Sequence, residues 1–169
     1  MRGIGAAAVM LASVVIGVLS VRQSQKHLLN LRELEDALLY LTAELAEKQS
    51  PLPELIKTGC IVSSGEAKLF FRDLYERLSR LGDKSFYELW EDAVRQHYAM
   101  LAEGERRELL ALGRQLGRAA LQRQLAACER CTRFLASARE SGESLYVRER
   151  RMRLALPAAM GGLLLILLL

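Results

Sequence analysis

The sequence predicts an all-α fold, an antiparallel bundle of about six helices between an N-terminal and a C-terminal transmembrane helix. Three observations carry this expectation. Leucines recur at helical spacing through the middle of the chain, strand-like alternation is absent there, and each end is a block without charge. The plan is therefore apolar end, charged middle, apolar end, with 51% hydrophobic residues and a net charge of +4 overall.

The first block is Ile4–Val21, "IGAAAVMLASVVIGVLSV". As a helix it reaches about 27 Å against a hydrocarbon core of roughly 30 Å. A signal peptide is the competing reading, but its apolar region usually runs only roughly 7–15 residues. The block is assigned to transmembrane helix 1, residues 4–21.

Residues 22–153 form the helical bundle. In its first helix Leu31, Leu34, Leu38, Leu41 and Leu45 recur at three and four, making one apolar seam that continues from the first span. It ends before "SPLP", where Ser50 is expected to cap a short helix at about 53–63, with Pro51 and Pro53 in its first turn. Gly65 opens a third helix that turns Leu69, Phe70, Phe71, Leu74, Tyr75, Leu78 and Leu81 inward, and Gly82 ends it. Ser85 followed by Glu88 makes a capping box for a fourth, whose stripe is Phe86, Leu89, Trp90, Ala93, Val94 and His97. A fifth, about 105–117, carries Leu109, Leu112 and Leu116. The sixth starts near Ala119, holds Leu121, Leu125, Cys128, Thr132 and Leu135, and reaches toward the second span, with Ser141–Gly142 its weakest point. Short connections favour antiparallel neighbours.

The last block, residues 154–169, has no polar side chain and would reach about 24 Å as a helix. A helix without a polar face needs apolar surroundings on every side, so it is assigned to transmembrane helix 2 rather than to a soluble core. A removable lipid-anchor tail is the rival reading, but with a signal peptide it would place an arginine-rich domain outside the cell. Arg22 and Lys26 follow the first span, and Arg148, Arg150, Arg151 and Arg153 precede the second. By the positive-inside bias these residues put the middle domain in the cytoplasm of a cell-membrane protein. Pairs of small residues four apart, such as Ser13/Gly17 and Ala158/Gly162, suit close helix packing in lipid or arise by chance in Ala-rich spans.

No chemistry-bearing constellation emerges. "CERC" (Cys128, Cys131) is half a metal site, and neither Cys60, His27 nor His97 completes it at a recognisable spacing, so buried thiols are expected. His97 has no nucleophile placed beside it and reads as a structural histidine. Glu35–Asp36 and Glu91–Asp92 read as solvated faces. Gly113 and Gly117 lack the Lys-Ser/Thr of a phosphate loop. The basic excess from Arg106 to Arg153 points to lipid headgroups or an acidic protein face, since nucleic-acid binding would call for interleaved aromatics. No catalytic residue, metal or cofactor is expected.

The stretches "LRELEDALLYLTAELAEKQSPLPELI", "SFYELWEDAV" and "ELLALGRQLGR", followed by Gln124 and the arginine-bracketed terminal block, occur in one order along essentially the whole chain. In this order they resemble the stage III sporulation protein AB family. Glu44, Pro51, Leu52, Trp90, Gly113, Gly117 and Gln124 match the family pattern. Ala119–Ala120 departs from it, standing where a Ser-Asp pair is common.

The resemblance implies a non-enzymatic platform subunit of a sporulation channel between mother cell and forespore, in the outer forespore membrane. It is similar to the platform protein of type II secretion and type IV pilus systems. Implied partners are a secretion-type ATPase (stage III sporulation protein AA), other subunits of the same complex, membrane lipid and further copies of the chain. Glu44, Arg114 and Gln124 are the candidate partner-binding residues, and Pro51, Leu52, Trp90, Gly113 and Gly117 the structural ones. The alternative is a membrane-anchored helical adaptor that binds lipid or protein outside sporulation.

Overall fold

The leucine seam of the first helix is the spine of the bundle: Leu31, Leu34, Leu38, Leu41 and Leu45 are all buried. The computed structural model describes the backbone of residues 2–79 and 84–168 and the side chains of 23–79 and 84–145. The helices are α1 (Arg2–Lys48), α2 (Leu52–Val62), α3 (Gly65–Ser79), α4 (Phe86–His97), α5 (Glu103–Gln115) and α6 (Leu121–Leu168), with no strand among the described residues. Each helix packs on the next in sequence, and α6 closes the ring on α1.

The pairing is antiparallel where named contacts define it. Glu35 receives Arg139 at 2.9 Å, and Leu28 packs against Gly142, which runs α6 back along α1. Trp90 meets Gly113 while Tyr87 meets Arg114, which does the same for α4 and α5. Inside the ring Phe70 is the aromatic hub, with Phe71, Trp90 and Tyr98 at centroid distances of 5.0, 5.1 and 5.3 Å. Burying side chains of this size stabilises by about 1.5–3 kcal/mol each before conformational entropy is counted.

The capping box at Ser85 forms as expected: its hydroxyl accepts from Glu88 N–H, and the Glu88 carboxylate accepts from Ser85 N–H at 2.6 Å. Other details differ. Ser50 does not cap α2; Pro51 holds the cap position and the Ser50 hydroxyl donates to Glu44 instead. The start of α3 is capped from across the bundle, where Glu33 accepts Glu66 N–H at 2.9 Å. Leu69 is 40% exposed rather than inward. Glu35 is no solvated residue, since Arg139 holds it against α6.

Helix α6 runs unbroken through Ser141–Gly142. A Cβ on Gly142 would come within 2.7 Å of Leu28 Cδ2, so this glycine lets two helices approach rather than breaking one. The expected ending of α3 at Leu81 and Gly82 lies outside the described residues, as do the side chains of Arg22, Arg148, Arg150, Arg151 and Arg153. Among the described residues no helix is long and apolar enough to cross a membrane. This holds for residues 23–79 and 84–145, whose side chains are described, and the apolar blocks 4–21 and 154–169 lie outside those ranges.

Candidate functional site

Two ends of the bundle differ in kind. At the near end, Gln23 of α1 and Leu145 of α6 line one groove of about 620 Å³, so both long helices leave the bundle there. The far end is built from the α1–α2 and α5–α6 turns, and it gathers most of the residues the sequence singled out.

The far end begins where α1 stops. Gln49 takes a left-handed conformation with φ of 52°, which breaks the helix, and its N–H still donates to Leu45 O. Glu44, one turn earlier, accepts from Lys48 Nζ at 2.9 Å and from Ser50 Oγ at 3.1 Å. The Lys48 ammonium is the largest influence holding the Glu44 carboxyl below its ordinary value. Pro51 then starts α2, its carbonyl accepting from Leu55 N–H.

Leu52 reaches across to the second turn. Gly117 sits there at φ +73°, and a Cβ on it would lie 2.8 Å from Leu52 Cδ2. Gln124 ties the turn to α6: its Oε1 accepts Gly117 N–H at 3.2 Å and its Nε2 donates to Ala119 O at 2.6 Å. Trp90 is fully buried and donates from Nε1 to Leu109 O at 2.9 Å. It fits because Gly113 has no side chain; a Cβ there would meet ring Cδ1 at 2.3 Å. Above them Arg114 lies over the Tyr87 ring, 5.1 Å from its centroid, and donates to its hydroxyl at 3.1 Å. Leu52, Gly117 and Gln124 thus join the two turns, with Pro51 and Glu44 beside them, while Trp90 and Gly113 form a separate buried pair between α4 and α5 below Arg114. Gln124, a candidate partner-binding residue by sequence, has its amide engaged in holding the turn.

Sequence reasoning did not foresee the near-end groove. Met100 and Leu145 stand at it 71% and 59% exposed, beside Leu28, Leu101 and Lys26. Both histidines line it, each bound to carboxylates. His27 Nε2 lies 3.2 Å from Glu105, which also accepts Ala102 N–H and so caps α5. His97 contacts Glu66 at 2.9 Å and Asp73 at 3.3 Å, so its partners are on α3 and not the neighbouring Asp92, which pairs with Lys84. Tyr98 Oη is buried there without a partner, and burial pushes its pKa up. A helix face of acids and histidines could have suggested these pairs, but their partners lie far apart in sequence.

Cys128 and Cys131 are buried free thiols whose pKa values burial pushes up to about 11 and about 12. Among the described residues no group of His, Cys, Asp or Glu is arranged to hold a metal.

With this geometry in hand, the comparisons are specific. A family model described as stage III sporulation protein AB matches residues 2–169. A solved structure of "Stage III sporulation protein AB (SpoIIIAB)" is similar in fold, with a TM-score of 0.61 at 19% identity. The match covers 72% of this chain and 97% of that one. No curated protein matches the chain in sequence.

Proposed function

The chain belongs to the stage III sporulation protein AB family, and from that premise we propose that it is a non-enzymatic membrane platform whose far end docks a cytosolic secretion-type ATPase. Its role is in sporulation; the platform and the docking are our reading. In this reading residues 4–21 and 154–169 anchor the chain by two spans in the outer forespore membrane. Residues 22–153 face the mother-cell cytoplasm, and further copies and other subunits of the same complex pack around the spans.

One observation carries the reading. Of the residues matching the family pattern, Glu44, Pro51, Leu52, Gly117 and Gln124 converge on the end opposite the one where both long helices depart. From Val21 to Lys48 the α1 helix rises about 40 Å, so that end stands well clear of any bilayer holding the apolar blocks. A rigid tip at such a distance suits a motor arriving from solution, and a structural subunit needs no catalytic constellation.

The test pairs the full-length chain, in nanodiscs, with the purified ATPase (stage III sporulation protein AA). Saturable binding supports docking, and absence of binding overturns it. Deletion of the gene is expected to block spore development after engulfment, and normal sporulation would overturn the role.

The groove at the near end favours a second reading, a membrane-anchored adaptor that contacts lipid or protein partners, within sporulation as the family indicates rather than outside it. Exposed Met100 and Leu145 beside Lys26 have the mixture that settles at a bilayer surface. A Met100→Asp, Leu145→Asp variant with unchanged lipid contact, measured by depth-dependent quenching of a label at the neighbouring exposed position 99 or 144, counts against it.

A further inference from the structure

Three arginines of the far end have no carboxylate partner among the described residues of the bundle. Arg114, Arg118 and Arg123 are all exposed on or beside the α5–α6 turn, and from Leu109 to Cys128 the chain has no acidic residue. Among the described residues none of the three forms an ion pair. Elsewhere Arg77 pairs with Asp73, Arg95 with Glu91, Arg130 with Glu108 and Arg139 with Glu35, while Arg32, Arg72, Arg106 and Arg133 form no ion pair among the described residues but lie apart along the chain. Arg114 is held over Tyr87, which steadies the guanidinium and leaves donors for something else.

Lipid does not account for them. The net basic charge near the second span suits a bilayer, but this turn stands about 40 Å along the bundle from Val21. Exposed charges are screened over a Debye length of about 8 Å in physiological salt. Three unpaired like charges on one turn repel one another, a cost that a partner of opposite sign removes.

The neighbouring turn narrows the partner further. Glu47 and Glu54 are exposed on the α1–α2 side of the same end, and Glu44 is occupied by Lys48 and Ser50. A polyphosphate strand laid across the end would meet those carboxylates, whereas a folded protein face can match both signs. We propose that the α5–α6 turn is the electropositive half of a protein-docking edge, recognising a carboxylate-rich patch through Arg114, Arg118 and Arg123. This rests on the docking reading above and adds to it the chemistry of the contact.

The experiment uses full-length chain in neutral phosphatidylcholine nanodiscs with the purified ATPase. Binding is expected to weaken about tenfold between 50 and 300 mM NaCl, and by about a hundredfold or more in R114E/R118E/R123E. The charge-keeping R114K/R118K/R123K is expected to stay within about threefold of the parent, apart from loss of bidentate geometry. Equal thermal unfolding of all three proteins shows that the reversal acts on the surface. Wild-type binding that ignores both salt and reversal overturns the inference and leaves docking standing. Stronger competition by duplex DNA or phosphatidylserine vesicles than by the ATPase also overturns it. No binding by the parent chain overturns the docking reading itself, and the inference with it.

Discussion

The indole of Trp90 occupies the space a side chain at Gly113 would need, with ring Cδ1 only 2.3 Å from the position of a Cβ there. The same ring donates to Leu109 O, so it cannot slide away without giving up a buried hydrogen bond. Gly113→Ala is therefore expected to destabilise by about 2–3 kcal/mol through overpacking. That corresponds to a Tm lowered by roughly 4–12 °C for a chain of this size. Thermal unfolding of the purified variant checks it, and an unchanged Tm would show that the helices part at little cost.

Gly117 is constrained twice, by its left-handed backbone and by Leu52 Cδ2 at 2.8 Å from a built Cβ. Gly117→Ala incurs both penalties, and a loss of about 2–3 kcal/mol is expected. Leu52→Ala removes the overlap and leaves the backbone strain. In a double-mutant cycle the pair should therefore couple favourably by about 0.5–1.5 kcal/mol. Strict additivity would mean that the two turns do not bear on each other.

Helical periodicity showed most of this architecture, because a seam such as Leu31 to Leu45 can be satisfied only by burial along one face. Local chemistry was equally readable at Ser85–Glu88, where cap and acceptor are three residues apart. What the sequence could not show were partners remote along the chain: Glu33 capping Glu66, Arg139 holding Glu35, Glu105 meeting His27. Ser50 misled because its hydroxyl donates to Glu44, six residues back, and Pro51 takes the cap position of α2. At the candidate site, Trp90, Gly113 and Gly117 stood out as residue types. That Gly117 meets Leu52 and Gln124 while Gly113 meets Trp90 depends on how α5 folds back between α4 and α6.

The buried thiols make a prediction about pH. Burial raises Cys131 and Cys128 to about 12 and about 11 from an ordinary 9.0, and raises Cys60 less deeply in a half-buried site. The folded state thus holds protons that the unfolded chain gives up above pH 9. Stability associated with these thiols is fully present below about pH 9 and is lost as pH rises through about 11 and 12. Iodoacetamide at pH 8 should modify Cys60 first and leave Cys128 and Cys131 intact until denaturant is added. Mass spectrometry reads the order directly. Rapid native labelling at Cys131 would show that the α5–α6 seam opens far more readily than its packing implies.

Ala120 offers a test in which stability and docking move in opposite directions. It immediately precedes α6, its carbonyl accepts from Arg123 and Gln124 N–H, and its side chain can cap nothing. An aspartate there can accept one of the free N–H groups of the first turn and oppose the helix dipole, so Ala120→Asp should stabilise by about 1 kcal/mol. The same carboxylate would stand among Arg114, Arg118 and Arg123 and answer charge that the proposed partner is meant to answer. Higher Tm together with ATPase binding weakened by about threefold or more at low salt is the expected pair of results. Higher Tm with unchanged binding would separate the cap from the contact and move the docking edge off this turn. Lower Tm would mean that Gln124, already bonded to Gly117 and Ala119, leaves no room for a second capping group.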